Sequence, residues 1–440
     1  MKPTGLLIAV ALLVLIGGGI WFSNKKQAKA TAEKSPTDTT SKLLTIPADQ
    51  FQEIRIKKPA ETEDLKLVDG KWRIVQPKPL AADQDAVTSM VTSLSALTAD
   101  KTIDDNATDL SGYGLTNPTL NITITRKDGK TDNVLVGDAT PTNSGNYAKL
   151  PGSPKVYTIA TYVKTGLDKS VNDLRDKRLM TFDSDKITRV VLTAKGAPIE
   201  FGKNAQNEWQ ILKPSPLRAD ATQVDSLVNK LKDAKMDANI SDADAKKAAD
   251  AFASGTRVAV ATVSDSGGDQ TLEVRKDKDK NYYAKSSVVD GIYKITSDVG
   301  DGLDKSLDDF RNKKLFDFGF SDPTKIEFKS ATYTKSGDKW MSGAKTMDNA
   351  SVQSLIDKLR DLTATKFADK SAGDVVFEAA VTSNQGKKVE KVTIRKQGTD
   401  DFAQREGEPS IYQLDAKAVD DLQSAASAVK EAAPEPVKKK

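Results

Sequence analysis

The chain has 440 residues, of which 29% are charged and 38% hydrophobic, and its formal net charge is +4. This near balance predicts no strong attraction to nucleic acid, and the hydrophobic content is high enough for folded cores. The sequence contains no cysteine and no histidine, which excludes disulfides, thiolate or imidazole metal sites and catalytic triads that use histidine.

The N-terminus carries a run of 17 uncharged, mostly apolar residues from Leu6 to Phe22. This length is at the short end of what a bilayer-spanning helix needs, and Trp21 suits the membrane interface. The pattern predicts three segments, which are a tail at 1–5, a transmembrane anchor at 6–22 and a flexible polar tether at 23–43. The alternatives are a cleaved signal peptide, whose only Ala-x-Ala site lies among lysines, and a buried core helix.

The orientation of this anchor depends on two signals that disagree. Lys25, Lys26 and Lys29 follow the run, whereas only Lys2 and the amino terminus precede it. The positive-inside rule alone would therefore place the bulk of the chain in the cytoplasm. A very short tail ahead of a signal-like apolar run usually stays inside, and for that reason we expect the bulk outside the cytoplasm.

One segment occurs twice in the chain. Residues 166–179 read GLDKSVNDLRDKRL and residues 302–315 read GLDKSLDDFRNKKL, at an offset of 136 residues. The match extends upstream, where Tyr147-Ala-Lys meets Tyr283-Ala-Lys at the same offset. A shared period of this length indicates a duplicated domain.

A helical pattern of apolar residues occurs three times, and an aspartate and a tryptophan precede each instance. The apolar positions are Val87, Met90, Val91, Leu94 and Leu97; Val224, Leu227, Val228 and Leu231; and Val352, Leu355, Ile356, Leu359 and Leu362. The aspartates are predicted helix caps, and they are Asp83, Asp220 and Asp348. We interpret the tryptophans as core anchors between sheet and helix, and they are Trp72, Trp209 and Trp340.

Period-two alternation follows each of these helices and predicts antiparallel hairpins. The alternating residues are Leu120, Ile122 and Ile124; Val258, Val260 and Val263; and Phe377, Ala379 and Val381. A strand with Tyr157, Tyr293 or Tyr412 and one last helix complete each unit. The third unit has lost the GLDKS signature.

These patterns predict an α+β fold of three tandem repeats, each an antiparallel sheet with about two helices, behind one N-terminal transmembrane helix. The predicted boundaries are repeat unit 1 at 44–181, repeat unit 2 at 182–318, a degenerate repeat unit 3 at 319–432 and a tail at 433–440.

The GLDKS segments are the first candidate site because they are rich in charge. The charged residues are Asp168, Lys169, Asp173, Arg175, Lys177 and Arg178 in the first copy, and Asp304, Lys305, Asp308, Asp309, Arg311, Lys313 and Lys314 in the second. Opposite charges three or four residues apart pair on a helix surface. We therefore favour a self-neutralising helix face, with a partner-binding face as the alternative. The spacing of a phosphate-binding loop is absent.

Two polar loops, at 111–118 and 136–147, occur only in the first copy. Function concentrates in loops, which makes the first copy the more promising unit. Glycine, aspartate, threonine and proline are also the residues that turns require, so a turn-only interpretation is favoured. No catalytic, cofactor-binding or metal-binding residue stands out, and we predict none.

Together these features resemble a bacterial family of unknown function with one N-terminal span and repeated units. The motifs that carry the resemblance are Gly70 to Pro77, Ala82-Asp83, Tyr113-Gly-Leu115, Val136-Gly-Asp138, Tyr147-Ala-Lys149 and Leu167 to Lys177. Family members often accompany ABC-2 transporters of the gliding-motility type. The resemblance therefore implies an accessory role in the cell envelope and supplies no catalytic residues.

We accordingly expect a membrane-anchored, non-catalytic envelope protein with no cofactor. Its single span would lie in the bacterial inner membrane and its bulk in the periplasm. The expected partners are the lipid bilayer, through the N-terminal helix, and ABC-2 transporter subunits, but no nucleic acid. The alternative is a carboxylate-dependent envelope hydrolase or sugar-binding protein with its site in repeat unit 1.

Overall fold

The structure is a computed structural model that describes residues 41–237, 242–320 and 323–433. Three antiparallel sheets follow one another along these residues, and each packs helices against one face. This arrangement confirms the predicted α+β class and its repeated sheet units. The chain divides into two compact units, one that ends at Lys177 and one that begins at Arg178.

The predicted transmembrane anchor at 6–22 lies outside the described residues, as does most of the tether. Among the helices of the described ranges, none is both long and apolar enough to cross a bilayer. Of the tail predicted at 433–440, only the first residue is described.

The first sheet has nine strands within the described residues. They are β1 (Phe51–Lys57), β2 (Thr62–Val68), β3 (Lys71–Gln76), β4 (Leu80–Ala81), β5 (Lys101–Asp104), β6 (Leu120–Arg126), β7 (Thr131–Ala139), β8 (Gly145–Lys149) and β9 (Val156–Ala160). They lie in the order β4-β3-β2-β1-β6-β7-β8-β9-β5. The helices of this unit are α1 (Gln84–Ser95), α2 (Thr161–Leu167) and α3 (Val171–Leu174).

Within the described residues, which leave out 238–241, the second sheet has the same order of hairpins and one strand fewer. Its strands are β10 (Arg189–Thr193), β11 (Ile199–Lys203), β12 (Trp209–Lys213), β13 (Leu217–Arg218), β14 (Thr256–Asp265), β15 (Gly268–Lys276), β16 (Tyr282–Ser286) and β17 (Ile292–Ile295). They lie in the order β13-β12-β11-β10-β14-β15-β16-β17. Its helices are α4 (Ala221–Lys232), α5 (Asp242–Ser254), α6 (Ser297–Leu303) and α7 (Leu307–Phe310).

The third sheet again has nine strands within the described residues. They are β18 (Lys325–Phe328), β19 (Thr332–Ser336), β20 (Lys339–Ser342), β21 (Lys345–Met347), β22 (Lys366–Ala368), β23 (Asp374–Ser383), β24 (Lys388–Gln397), β25 (Asp400–Arg405) and β26 (Ile411–Leu414). They lie in the order β21-β20-β19-β18-β23-β24-β25-β26-β22, matching the first sheet. Its helices are α8 (Asn349–Asp361) and α9 (Ala416–Ser427).

Each sheet has its own hydrophobic core, anchored by a tryptophan and the long helix that follows it. Trp72, Trp209 and Trp340 are at most 9% exposed and lie in three separate clusters, which confirms the core-anchor interpretation. The predicted aspartates cap the three helices by accepting hydrogen bonds from free backbone N–H groups, and they are Asp83, Asp220 and Asp348.

Leu174 is the last core residue of the first repeat, and Leu179 is the first of the second. The second core ends at Phe310, and the third begins at Leu315. The boundaries predicted at 181/182 and 318/319 lie a few residues beyond these points and stay predictions.

The last helix of the first two repeats differs from the prediction of one continuous helix. In each it is broken at the Asp-Lys-Ser of GLDKS into two short helices, α2 and α3 or α6 and α7. In the third repeat α9 runs for 12 residues without a break. Helix α5 was not predicted, and it gives the second repeat more than the expected two helices.

In all three repeats, the backbone at the end of the last helix is hydrogen-bonded to the aspartate that caps the long helix. The N–H groups of Asp83, Asp220 and Asp348 donate to the carbonyls of Leu174, Phe310 and Lys430. The third repeat thus keeps the same closure although its sequence has lost GLDKS.

In one strand, the residues that face the core differ from those predicted. The alternation predicted at Val258, Val260 and Val263 would bury Val260, but the structure buries Ala259, Ala261 and Val263. A β-bulge near Arg257 sets this register, and small alanines on the inner face give little hydrophobic signal in the sequence.

Candidate functional site

The break within GLDKS forms a tight corner that is stabilised by its own side chains. Leu167 is fully buried, and Asp168 ends helix α2. The Ser170 hydroxyl and the Asp173 carboxylate then exchange hydrogen bonds with each other's backbone as a capping box, which lowers the pKa of Asp173. Ser306 forms the same capping box in the second repeat. The serine of the motif therefore starts a helix.

A lysine from the tip of the first hairpin reaches the aspartate of this corner in two repeats. Lys58 Nζ lies 3.4 Å from Asp168 Oδ1 and donates to the Lys169 carbonyl at 2.8 Å. Lys195 Nζ lies 3.2 Å from Asp304 Oδ2 at the matching place in the second repeat. The corner is thus tied to the hairpin tip, about 110 residues away in the chain. Burial opposes ionisation of Asp168, but Lys164 and Lys58 lower its pKa.

The first repeat adds a fully buried carboxylate to this contact. Glu63 is 0% exposed, and its Oε1 lies 3.1 Å from Lys58 Nζ. Its neighbour across the strands is Ile56, so Glu63 lies on the core face, where the second repeat has Ile199. Burial raises the pKa of Glu63 to about 7, against the opposing effect of Lys58. Glu63 was missed at the level of the sequence because no local pattern distinguishes this buried carboxylate from the exposed carboxylates of a hairpin.

Arginine Arg311, which follows the second GLDKS corner, joins the second repeat to the third. Its guanidinium stacks on the Phe367 ring, 3.3 Å from the centroid, and it donates to Ser410 Oγ at 2.9 Å. Its contact with Asp308 lies on the surface. A charged residue of the predicted motif is therefore used for packing between neighbouring sheets.

A second arginine, Arg218, extends this joint through a network of buried and partly buried charges. Its Nη2 donates to the Tyr412 hydroxyl at 3.1 Å. Its Nε lies 2.8 Å from Glu408 Oε1, at an angle that makes this an ion contact and not an aligned hydrogen bond. Glu408 also accepts from Arg405, which pairs with the buried Glu390 at 3.0 Å. Burial raises the pKa of Tyr412, whereas Arg218 and Arg405 lower that of Glu408 against its burial.

A cleft of about 560 Å³ opens beside this network. Its walls carry charges of both signs, among them Arg218, Lys313, Lys388, Asp317 and Glu390. Because the most buried of these groups are already paired with one another, the cleft is a solvated part of the joint.

In the first repeat, two of the motifs that carried the family resemblance pack against each other. A methyl group at Gly114, which has a φ of +64°, would overlap the Asp138 carboxyl. A methyl group at Gly137 would overlap the Tyr113 carbonyl. Both glycines are therefore required by the close approach of the segments 111–118 and 136–147, and Gly137 itself lies in strand β7.

The Tyr147-Ala-Lys149 motif of the first repeat lies beside the loop that contains Tyr113. The Tyr113 ring meets the Tyr147 ring edge-on, 5.0 Å between centroids, and the Tyr113 hydroxyl donates to Asp104 Oδ2 at 3.2 Å. Both rings are partly exposed, and Asp138 is exposed beside them. We name Tyr113, Tyr147, Asp104 and Asp138 the tyrosine cluster. It presents aromatic faces and carboxylates on one surface of the first repeat.

Strand pairing reveals a third member of the Tyr-Ala-Lys set that the sequence search missed. Ala148 pairs with Tyr157, Ala284 with Tyr293, and Ala403 with Tyr412. The third member is therefore Phe402-Ala-Gln404, in which two of three residues have changed.

Among the residues that the structure describes, no group of three or more carboxylates could hold a metal ion. Among the charged residues of the two corners, Asp168, Asp173, Asp304 and Asp309 make contacts within their own repeat, and Arg311 joins the second repeat to the third. The chemistry that these clusters offer is ion pairing and aromatic contact.

Comparison with known proteins identifies a family. The model of a domain of unknown function, DUF4340, matches residues 72–251 and again residues 209–376. The matches begin at Trp72 and Trp209, which occupy the same position in their repeats, and together they span more than half of the 440 residues. Neither a curated protein nor a solved structure matches the chain. The chain therefore belongs to the DUF4340 family.

Proposed function

We propose that this protein is a membrane-anchored, non-catalytic interaction protein of the bacterial envelope that serves an ABC-type transport or motility system. The apolar run from Leu6 to Phe22 anchors it in the inner membrane. The tether at 23–43 separates that anchor from the sheets, which lie in the periplasm. Transporter subunits of the ABC-2 type are the proposed partners, in keeping with the family resemblance.

This proposal rests on the structural roles of the charged residues in the GLDKS motifs. Asp168 and Ser170 hold the corner of the first repeat, and Arg311 packs the second repeat against the third. These are the contacts of a scaffold. They support a protein that acts through its surfaces.

Crosslinking in cells, followed by purification in mild detergent, tests the partner. The full chain is expected to recover ABC-2 transporter subunits. A matched chain without residues 1–22 is expected to lose them, because it is no longer held at the membrane. Recovery of no transporter subunit by the full chain under several crosslinkers would refute the partnership.

Reporter fusions at residue 440 test the orientation. We expect a fusion to alkaline phosphatase to be active and a fusion to green fluorescent protein to be non-fluorescent. Both results follow if the short N-terminal tail stays in the cytoplasm and residue 440 lies outside it. A fluorescent fusion without phosphatase activity would show that Lys25, Lys26 and Lys29 determine the orientation instead.

The tyrosine cluster favours a second candidate function, which is sugar binding by the first repeat. Two partly exposed tyrosine rings beside carboxylates are suited to stacking on a sugar and to accepting its hydroxyl hydrogen bonds. Titration with soluble cell-wall oligosaccharides would test this function. Tyr147→Ala should abolish binding, whereas Tyr283→Ala, at the same register of the second repeat, should not.

A further inference from the structure

The tyrosine cluster lies in an acidic part of the first repeat. The segments 102–118 and 136–147 together hold four aspartates and neither a lysine nor an arginine. Among the described residues, Lys155 pairs with Asp105 at 2.7 Å, and the other three aspartates have no lysine or arginine within ion-pair distance. This surface therefore carries negative charge that the described part of the chain does not neutralise.

The aromatic residue at the position of Tyr147 faces an arginine in the other two repeats. The cross-strand pairs are Tyr283 with Arg275 and Phe402 with Arg395. In the first repeat a bulge places Gly137 and Asp138 opposite Tyr147. The Tyr113 carbonyl approaches Gly137 too closely for any side chain there. The first repeat thus has a carboxylate and a second ring where the other repeats have a cation.

An aromatic pair in the third repeat shows how this chain uses arginine beside rings. The Phe367 and Tyr412 rings lie 5.3 Å apart, and Arg311 stacks on Phe367. Arg218 donates to the Tyr412 hydroxyl and contacts Glu408 Oε1 at 2.8 Å. Both rings pack on the core of the third repeat, so they match the tyrosine cluster in chemistry and not in position. The planar guanidinium suits both parts of such a site, because it stacks on a ring and donates to a carboxylate.

The tyrosine cluster has no such cation of its own. Among the described residues, no lysine or arginine lies over the Tyr113 or Tyr147 ring, and both rings are partly exposed. Partial burial and the hydrogen bond to Asp104 raise the pKa of Tyr113, and the charges of Asp104 and Asp109 add to this effect. The Tyr113 ring therefore lies in the negative field of this surface, which favours a cationic ligand over a neutral one.

We propose that the tyrosine cluster binds an exposed arginine in a basic segment of a partner protein. The guanidinium stacks on the open side of the tyrosine pair, and its N–H groups donate to the Asp138 carboxylate. Lysine fits less well, because its ammonium group is compact and strongly hydrated and has no planar face. This inference rests on the proposed interaction role and names the chemistry of one partner segment. The uncompensated carboxylates favour it over an uncharged sugar at the same cluster.

A peptide with the sequence GSRGSRGS and a neutral fluorophore is the probe. Fluorescence anisotropy with the full chain in nanodiscs of neutral lipid is expected to give a Kd on the order of 300 μM, since a short flexible peptide loses entropy on binding. Replacing both arginines by citrulline, which keeps the shape and removes the charge, should weaken binding by about tenfold or more. Replacing them by lysine should weaken it by about threefold or more, because the stacking contact is lost.

Matched variants locate the binding on the first repeat. Asp138→Asn should weaken binding by about fivefold or more. Asp69→Asn makes the same charge change at the exposed turn after β2, on the far side of β1 and β6 from the cluster, and should leave binding unchanged. Asparagine tolerates the left-handed backbone at this turn, where φ is 51°. Tyr147→Ala should lose binding, whereas Tyr283→Ala should not.

Several results would overturn the proposal. These are no binding up to about 5 mM peptide, equal binding of the arginine and citrulline peptides, or equal effects of Asp138→Asn and Asp69→Asn. The citrulline comparison needs no change in the protein, so it stays decisive if a variant unfolds. Oligosaccharide binding at the cluster without peptide binding would also overturn it and assign the cluster to sugars. Because the probe needs no transporter, peptide binding with failed transporter recovery would refute the proposed function and leave this site standing.

Discussion

The guanidinium of Arg311 lies 3.3 Å from the centre of the Phe367 ring, and this contact joins the second sheet to the edge of the third. Phe367 belongs to strand β22 and also meets the Tyr412 ring at 5.3 Å. Arg311 therefore reaches the aromatic pair beside the partly buried charges of Arg218 and Glu408.

Replacing Arg311 should loosen this joint. Arg311→Ala removes the stacking contact and the hydrogen bond to Ser410, and we expect a loss of about 1–3 kcal/mol in the free energy of unfolding. Hydrogen exchange should show the loss first in the edge strand Lys366–Ala368. Asp308→Ala removes only the exposed ion pair of Arg311 and should cost less than about 0.5 kcal/mol. Equal effects of the two variants would contradict the role of the stack.

Glu63 should make the first repeat less stable as the pH rises. Burial raises its pKa from the ordinary 4.5 to about 7, so between these values the folded state holds a proton that the unfolded state has released. That contribution is fully present below about pH 4.5 and is lost as the pH rises through about 7. We expect a decrease on the order of 1–3 kcal/mol in unfolding free energy across this window.

Urea unfolding at pH 5 and at pH 8, monitored by hydrogen exchange in the first repeat, measures this decrease. Glu63→Gln should make the stability of the first repeat nearly independent of pH over the window. Glu61→Gln removes an exposed carboxylate near the same lysine and should leave the pH dependence in place. A first repeat that gains stability from pH 5 to pH 8 would show that the ion pair with Lys58 dominates over burial.

The close approach of the two first-repeat loops should make Gly137 intolerant of any side chain. Gly137→Ala directs a methyl group into the Tyr113 carbonyl, and a backbone atom cannot turn away as a side chain does. We expect a loss of about 2–4 kcal/mol in the unfolding free energy of the first repeat. Gly112→Ala, in the neighbouring loop at 111–118 but with open space at its Cα, should be nearly neutral. Thermal unfolding of both variants decides between these expectations.

The elements that sequence analysis predicted well are those with a local physical signal. Asp83 caps a helix that begins within the next residues, and Trp72 lies close to the helix against which it packs. The hairpins were found from alternation and turn residues alone. By contrast, the inward face of β14 was predicted wrongly because Ala259 and Ala261 give a weak hydrophobic signal beside Val258 and Val260.

The candidate sites were predicted less well because their partners are far apart in the sequence. Lys58 and Asp168 are separated by 110 residues, and no local pattern connects a hairpin tip to a helix corner. The same holds for Arg311 and Phe367, which belong to different repeats. Only two of the three Tyr-Ala-Lys segments were recognised in the sequence. In the third, Phe402 and Gln404 replace the tyrosine and the lysine, and only strand pairing shows that this segment has the same register.

The three separate cores predict that damage to the second repeat spares the first. Trp209 is 8% exposed in the second core, where its Nε1 donates to Asp225 at 2.8 Å. Truncating such a tryptophan typically costs about 3–5 kcal/mol, a large part of a domain's roughly 5–15 kcal/mol. Trp209→Ala should therefore unfold the second repeat. Because Arg218 and Arg311 join that repeat to the third, protection in strand β22 should fall as well, while β1 and β6 of the first repeat keep theirs.

Hydrogen exchange on Trp209→Ala, read repeat by repeat, is the measurement. Leu212→Ala is the matched control, since this residue lies on the same strand but is 42% exposed and should change little. Arg311→Ala combined with Trp209→Ala should restore part of the independence of the third repeat by removing one contact through which unfolding spreads. Loss of protection to the same extent in all three repeats of Trp209→Ala would mean one cooperative core, and the division into three cores would then have no energetic meaning.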